Sequence, residues 1–200
     1  MRFQQWAETE TRTHTQASVN PSPRLTWPDA VAYQEAVQTP SVSLTDPYFK
    51  TGNISLDRRG LPVAYAGRFA VVFRMKTEDG STWAFRCFTT PGEENGTSRT
   101  ARYKLIQKHV EENRNIFVPF RYMEQGIKIG RHVYPALAMR WASGEPLGRW
   151  VENNRQNADA LRTLCSSLSA LLLKLEAAGI AHGDWQHDNI LVADGGKRLT

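Results

Sequence analysis

One segment constrains the fold more than any other. Within residues 158–178, Leu161, Leu164, Cys165, Leu168, Leu171, Leu172 and Leu175 fall at offsets 0, 3, 4, 7, 10, 11 and 14, one stripe of a 3.6-residue period. Asn157 stands where it can cap the start of this helix, and Gly179 where it can end it. The stripe predicts a long helix laid on a core, with Cys165 inside it as a small hydrophobe. Other segments alternate with period two. Phe69-Ala70-Val71-Val72-Phe73-Arg74-Met75 and Thr82-Trp83-Ala84-Phe85-Arg86-Cys87-Phe88-Thr89 flank a polar Glu78-Asp79-Gly80-Ser81 turn and read as a hairpin. On its second strand Trp83, Phe85 and Cys87 share one face, and Ala84, Arg86 and Phe88 share the other. Runs 116–123 and 132–141 read as further strands, with Gly126 and Gly130 punctuating the connection. A short helix is expected over 29–38, between Pro28 and Pro40, and another helix over 98–112. After the long helix come a polar loop, the apolar run Ile190-Leu191-Val192-Ala193, and an Asp194-Gly195-Gly196-Lys197 turn. A long helix beside antiparallel hairpins predicts an α+β fold.

Composition removes several alternatives. No run approaches the roughly 18 apolar residues of a membrane helix, so no membrane partner is expected. The first residues lack the apolar core of a secretory signal, and two cysteines do not make a disulfide framework. A reducing cytoplasm is the expected location. Residues 1–26, rich in Thr, Ser, Gln and Pro, read as a disordered lead-in. The net charge of +5 is unevenly spread: residues 51–140 carry fifteen basic and eight acidic side chains, and the flanking segments are each slightly acidic. Two readings stand, a phosphate-rich partner or a solvated basic face. Nucleic acid is not the expected partner, because no exposed aromatics interleave with the basic residues on a recognisable fold.

The polar loop is His182-Gly183-Asp184-Trp185-Gln186-His187-Asp188-Asn189. His187 and Asp188 have no further ligand at a recognisable spacing, so zinc is not expected. The pattern H-x-D-x-x-x-x-N before an apolar run, after a long helix and before a hairpin, resembles the catalytic loop of the protein-kinase-like superfamily. Its His-Gly-Asp form is similar to aminoglycoside and choline phosphotransferases and other atypical kinases. The resemblance implies an antiparallel-sheet N-lobe over 27–140, preceded by the lead-in, and a hinge, long helix and catalytic loop of a helical C-lobe over 141–200. It also implies roles. Asp184 would orient and deprotonate an acceptor hydroxyl, Asn189 would bind Mg²⁺, and His182 would brace the loop.

The same resemblance, weaker in places, extends upstream. Gly67-Arg68-Phe69-Ala70-Val71-Val72-Phe73 is similar to the glycine-rich loop and its following strand, with Tyr65 and Ala70 at the other two glycine positions. Val72 would lie against adenine. Ala84-Phe85-Arg86 resembles the Ala-x-Lys of the third strand, with Arg86 in the lysine's place as a phosphate ligand. Leu137 to Leu147 resembles the hinge: Met139 would close the back of the pocket, and the backbone of Arg140 and Ala142 would meet the adenine edge. There are departures too. The helix over 98–112 has no acid before Glu111, Gln186 replaces a usual lysine, and an Asp-Phe-Gly motif is expected only beyond Thr200. The resemblance therefore implies an ATP- and Mg²⁺-dependent phosphotransferase acting on a hydroxyl, with a lean towards protein acceptors. A chain of these 200 residues alone would be expected to show no sustained turnover. A pseudokinase or nucleotide-binding scaffold and a small-molecule kinase are the alternative expectations.

Overall fold

The computed structural model describes residues 27–91, 93–94, 97–114, 117–181 and 186–200. The lead-in, His182 and Asp184 lie outside the described residues. The protein is α+β, built on an antiparallel sheet.

Three short helices come first: α1 (Ala30–Ala36), α2 (Pro40–Ser43) and α3 (Pro47–Lys50). Asp29 caps α1 by accepting the Ala32 N–H, and Asp46 caps α3 by accepting that of Tyr48. Proline opens both α2 and α3, where its missing N–H leaves no helical bond unmade. The strands β1 (Asn53–Ile54), β2 (Ala64–Ala66), β3 (Ala70–Lys76) and β4 (Thr82–Phe88) follow, with β3 and β4 forming the expected hairpin. The short pair β5 (Glu93–Glu94) and β6 (Thr97–Ser98) leads into α4 (Arg99–Glu112), which Ser98 caps. Next come β7 (Phe120–Ile129) and β8 (His132–Arg140), which complete a sheet in the order β1-β3-β4-β8-β7, with β2 also paired to β3.

The two faces of this sheet have different fates. Val71, Phe73, Met75, Trp83, Phe85, Cys87, Ala136 and Ala138 point to one side and are buried there with Tyr33, Val37, Leu44 and Phe49 from the three short helices. Residues 27–50 are thus one wall of the main core. Phe49 packs edge-on against Trp83 at 5.5 Å and Phe85 at 5.6 Å, and buried Tyr33 donates its hydroxyl to the Phe88 carbonyl at 2.7 Å. Burial pushes the Tyr33 phenol and the Cys87 thiol above their ordinary ranges, so both stay neutral. The opposite face carries Val72, Arg74, Ala84, Arg86, Leu137 and Met139, and α4 lies across part of it through Tyr103.

Gly126 corrects one expectation. It lies within β7, at a break in register between Met123 and Ile127, and not in the connection. A Cβ there would sit 2.4 Å from that of Ala136, so only glycine lets the strands close. Gly130, with φ 59°, makes the turn alone.

The second part of the chain contains β9 (Glu145–Pro146), α5 (Leu147–Asn154), α6 (Ala158–Ala177), β10 (Leu191–Ala193) and β11 (Arg198–Leu199). The last two flank a turn at 194–197 and pair with β9 in the order β11-β10-β9. Asn157 caps α6 by accepting the Ala160 N–H. Leu164 is buried with Trp150 and Val192, and Leu161 and Leu168 pack against them. Cys165, however, is exposed, and Leu172 and Leu173 are 51% and 65% exposed. The arc that α6 buries is narrower than its apolar stripe. No helix among the described residues is long and apolar enough to cross a membrane.

Candidate functional site

The sheet face that α4 leaves uncovered looks onto a cleft of about 540 Å³, lined by Ala84, Phe117, Val118, Met139, Arg140, Trp141, Ala142, Asn189, Leu191 and Thr200. This volume falls within the roughly 300–1,000 Å³ of small-molecule sites. Five of the residues singled out from sequence meet here: Ala84, Met139, Arg140, Ala142 and Asn189.

Each is placed by identifiable backbone chemistry. Ala84 and Met139 are opposite one another across the β4–β8 ladder, so both side chains face the cleft. Met139 is 42% exposed and also lines a neighbouring apolar cavity of about 470 Å³ with Ile106, Val110 and Ile180, so it divides the two spaces. Arg140 ends β8. Its N–H donates to the Pro119 carbonyl at 2.8 Å, and proline has no N–H to return, so the ladder supplies no donor to the Arg140 carbonyl. The Arg140 guanidinium instead lies 5.5 Å from the Trp83 ring centroid. The next N–H, of Trp141, donates to the Thr82 carbonyl at 2.8 Å, and the Trp141 ring packs against Arg74 and Tyr65.

The opposite wall comes from the end of the chain. Asn189 closes a 3₁₀ turn (His187–Asn189), its N–H donating to the Gln186 carbonyl at 3.0 Å. Leu191 and Thr200 exchange backbone hydrogen bonds at 2.8 and 3.0 Å across β10 and the segment after β11. Gly144 allows the two walls to approach, since a Cβ there would lie 2.9 Å from that of Leu191 and 3.0 Å from the Val192 carbonyl.

Three other residues stand apart from the cleft lining. Val72 and Arg86 are cross-strand partners on the same sheet face as Ala84. The Arg86 guanidinium lies 5.7 Å from the Phe88 ring, and its buried Nε has no hydrogen-bond partner among the described residues. A buried, unpaired guanidinium N–H carries a desolvation penalty that an anionic ligand would relieve. Gly67 is exposed in the β2–β3 turn, its N–H donating to the Ala70 carbonyl at 2.9 Å. A Cβ there would come no closer than 3.6 Å to that carbonyl, so nothing among the described residues requires glycine. Phe117, Val118, Leu191, Thr200 and the Pro119–Arg140 pairing were not singled out from sequence. Leu191 had a signal, as the apolar residue two positions after Asn189.

The donor set suits some ligands better than others. Ala84, Met139, Phe117, Val118 and Leu191 offer an apolar slot for a flat ring, with a backbone carbonyl at its rim. Asn189 brings an amide oxygen, a hard donor of the kind Mg²⁺ takes together with phosphate oxygens and water. Among the described residues no group of three or more His, Cys, Asp or Glu side chains gathers to hold a metal unaided. The Asn189 amide would fit a cation that brings phosphate oxygens with it. Compared with protein-family models and with curated proteins, the chain matches none.

Proposed function

We propose that this chain carries a nucleotide site of the protein-kinase-like type and serves ATP-dependent phosphoryl transfer to a hydroxyl, with protein as the favoured acceptor. The observation that carries the reading is the meeting of Ala84, Met139, Arg140, Ala142 and Asn189 in one cleft. They come from β4, β8, the segment after it and the turn before β10, and the motif resemblance named all five. An antiparallel sheet over 53–140, followed by a long helix and a polar loop before a hairpin, is the order of elements that the reading requires.

In this reading Ala84 lies against one face of the adenine, Met139 closes the back of the pocket, and the Arg140 carbonyl accepts from the exocyclic amine. Arg86 turns its Nε, unpaired among the described residues, to the phosphates. Mg²⁺, when bound, offsets charge on the phosphate oxygens, and Asn189 contributes one ligand to it. Asp184 takes the acceptor hydroxyl's proton as the oxygen attacks the γ-phosphorus, and ADP departs with the electrons of the broken bond. Mg²⁺-dependent ATP binding tests the site, and transfer tests the chemistry. In the full-length protein Asp184→Asn should abolish transfer while changing ATP affinity less than about threefold; unchanged turnover would remove Asp184 from its role.

One observation favours nucleotide binding without catalysis as the second reading. In α4 the only acids, Glu111 and Glu112, are exposed at its C-terminal end, and Glu111 accepts from Gln107. Helix α4 thus offers Arg86 no carboxylate along its first three turns. ATP binding with no transfer by the full-length protein would establish that reading.

A further inference from the structure

The outward side of α6 carries a pattern of its own. Arg162, Cys165, Ser166, Ser169, Leu172, Leu173 and Glu176 are all exposed. Counted from Arg162 they fall at offsets 0, 3, 4, 7, 10, 11 and 14, so they share one helix face. The ends are charged and opposite in sign, and the middle is small or apolar. Leu172 and Leu173, at 51% and 65% exposure, are the large apolar groups on it.

This set maps onto itself when the helix direction is reversed about Ser169. Arg162 exchanges with Glu176, Cys165 with Leu173 and Ser166 with Leu172, while Ser169 meets itself. We infer that α6 is a self-association surface, pairing antiparallel with α6 of a second copy across a two-fold axis at Ser169. In that arrangement the leucines of each helix enter the space above the small residues of the other. Arg162 of each copy meets Glu176 of the other at both rims, about 21 Å apart. A parallel pairing would instead oppose Arg162 to Arg162 and Glu176 to Glu176. Within one chain Arg162 already pairs with Asp159, but both are at least three-quarters exposed, and such a pair is weak enough to exchange partners. The charge complementarity selects a second copy as the occupant.

Analytical ultracentrifugation across low to high micromolar concentration tests it with the whole chain. Wild type should show a reversible dimer. Arg162→Glu and Glu176→Arg should each raise the dimer Kd at least tenfold, and the double reversal should return it to within about threefold of wild type. A second arm uses geometry. Ser169→Cys in a Cys165→Ser background should give a disulfide-linked dimer on mild oxidation. The native Cys165 pair, about 12 Å apart along the axis, should not. A wild type that stays monomeric to about 200 μM, a double reversal that fails to recover, or no cross-link at Ser169→Cys would each overturn the proposal.

Discussion

The Arg140 N–H donates to the carbonyl of Pro119 at 2.8 Å, and Pro119 has no N–H to give back. One proline on β7's approach therefore frees a carbonyl at the rim of the cleft. Pro119→Ala restores the missing donor and should close the ladder over Arg140. Affinity for ATP and for adenosine is expected to fall alike, by about tenfold, the worth of roughly one hydrogen bond. The melting temperature should hold or rise. Isothermal titration with both ligands, beside a thermal melt, checks this; undiminished adenosine binding would place the ring elsewhere.

Arg86 should discriminate by charge. Its Nε is buried and unpaired among the described residues, on the face that looks towards the cleft. Arg86→Ala is expected to weaken ATP at least tenfold and adenosine by less than about threefold, because a phosphate contact is charge-assisted. Equal losses would make Arg86 a packing residue.

The core wall formed by residues 27–50 should prove integral to the sheet. Phe49 is fully buried between Trp83 and Phe85, and Arg121 holds α3 in place through Asp46 at 3.0 Å. Phe49→Ala removes a whole ring from that wall, and a loss of about 3–5 kcal/mol is expected in denaturant unfolding. A change under about 1 kcal/mol would show that this wall is dispensable.

At the tip of the β3–β4 hairpin, Asp79 accepts hydrogen bonds from the Thr77 hydroxyl, the Ser81 N–H, the Tyr48 hydroxyl and the Ser81 hydroxyl. These bonds hold its carboxyl well below the ordinary carboxylate value of 3.8. A depressed native pKa stabilises the fold above the unfolded-state pKa, and that stabilisation fades as pH falls further. Asp79→Asn should therefore be less stable than wild type at pH 6, with the gap narrowing below about pH 4. A gap that stays constant from pH 6 to pH 3 would show the carboxylate's charge to be immaterial.

Strong periodicity explains what could be read from the chain. The β3–β4 hairpin, α4 with its Ser98 cap and α6 with its Asn157 cap all follow from alternation or helical spacing joined to a capping residue. Helices α2 and α3 escaped because one turn has no period, and Leu44 and Phe49 are isolated apolar letters whose burial depends on a distant sheet. Gly126 read as a break because sequence does not show Ala136 packed against it. The stripe on α6 misassigned Cys165 and Leu172 because they lie on the margin between the buried arc and the outward face. At the cleft, side-chain identities pointed to Ala84, Met139 and Asn189. The Pro119–Arg140 relation needed strand register, which no local pattern encodes.

The most direct measurement is a calorimetric titration of Mg²⁺-ATP into wild type and into Ala84→Trp, which fills the cleft from the sheet side. Wild type is expected to bind one equivalent with micromolar affinity, and Ala84→Trp to lose at least tenfold while keeping its cooperative unfolding. A folded wild type that binds no ATP, or equal affinity in the filled variant, would contradict a nucleotide site in this cleft.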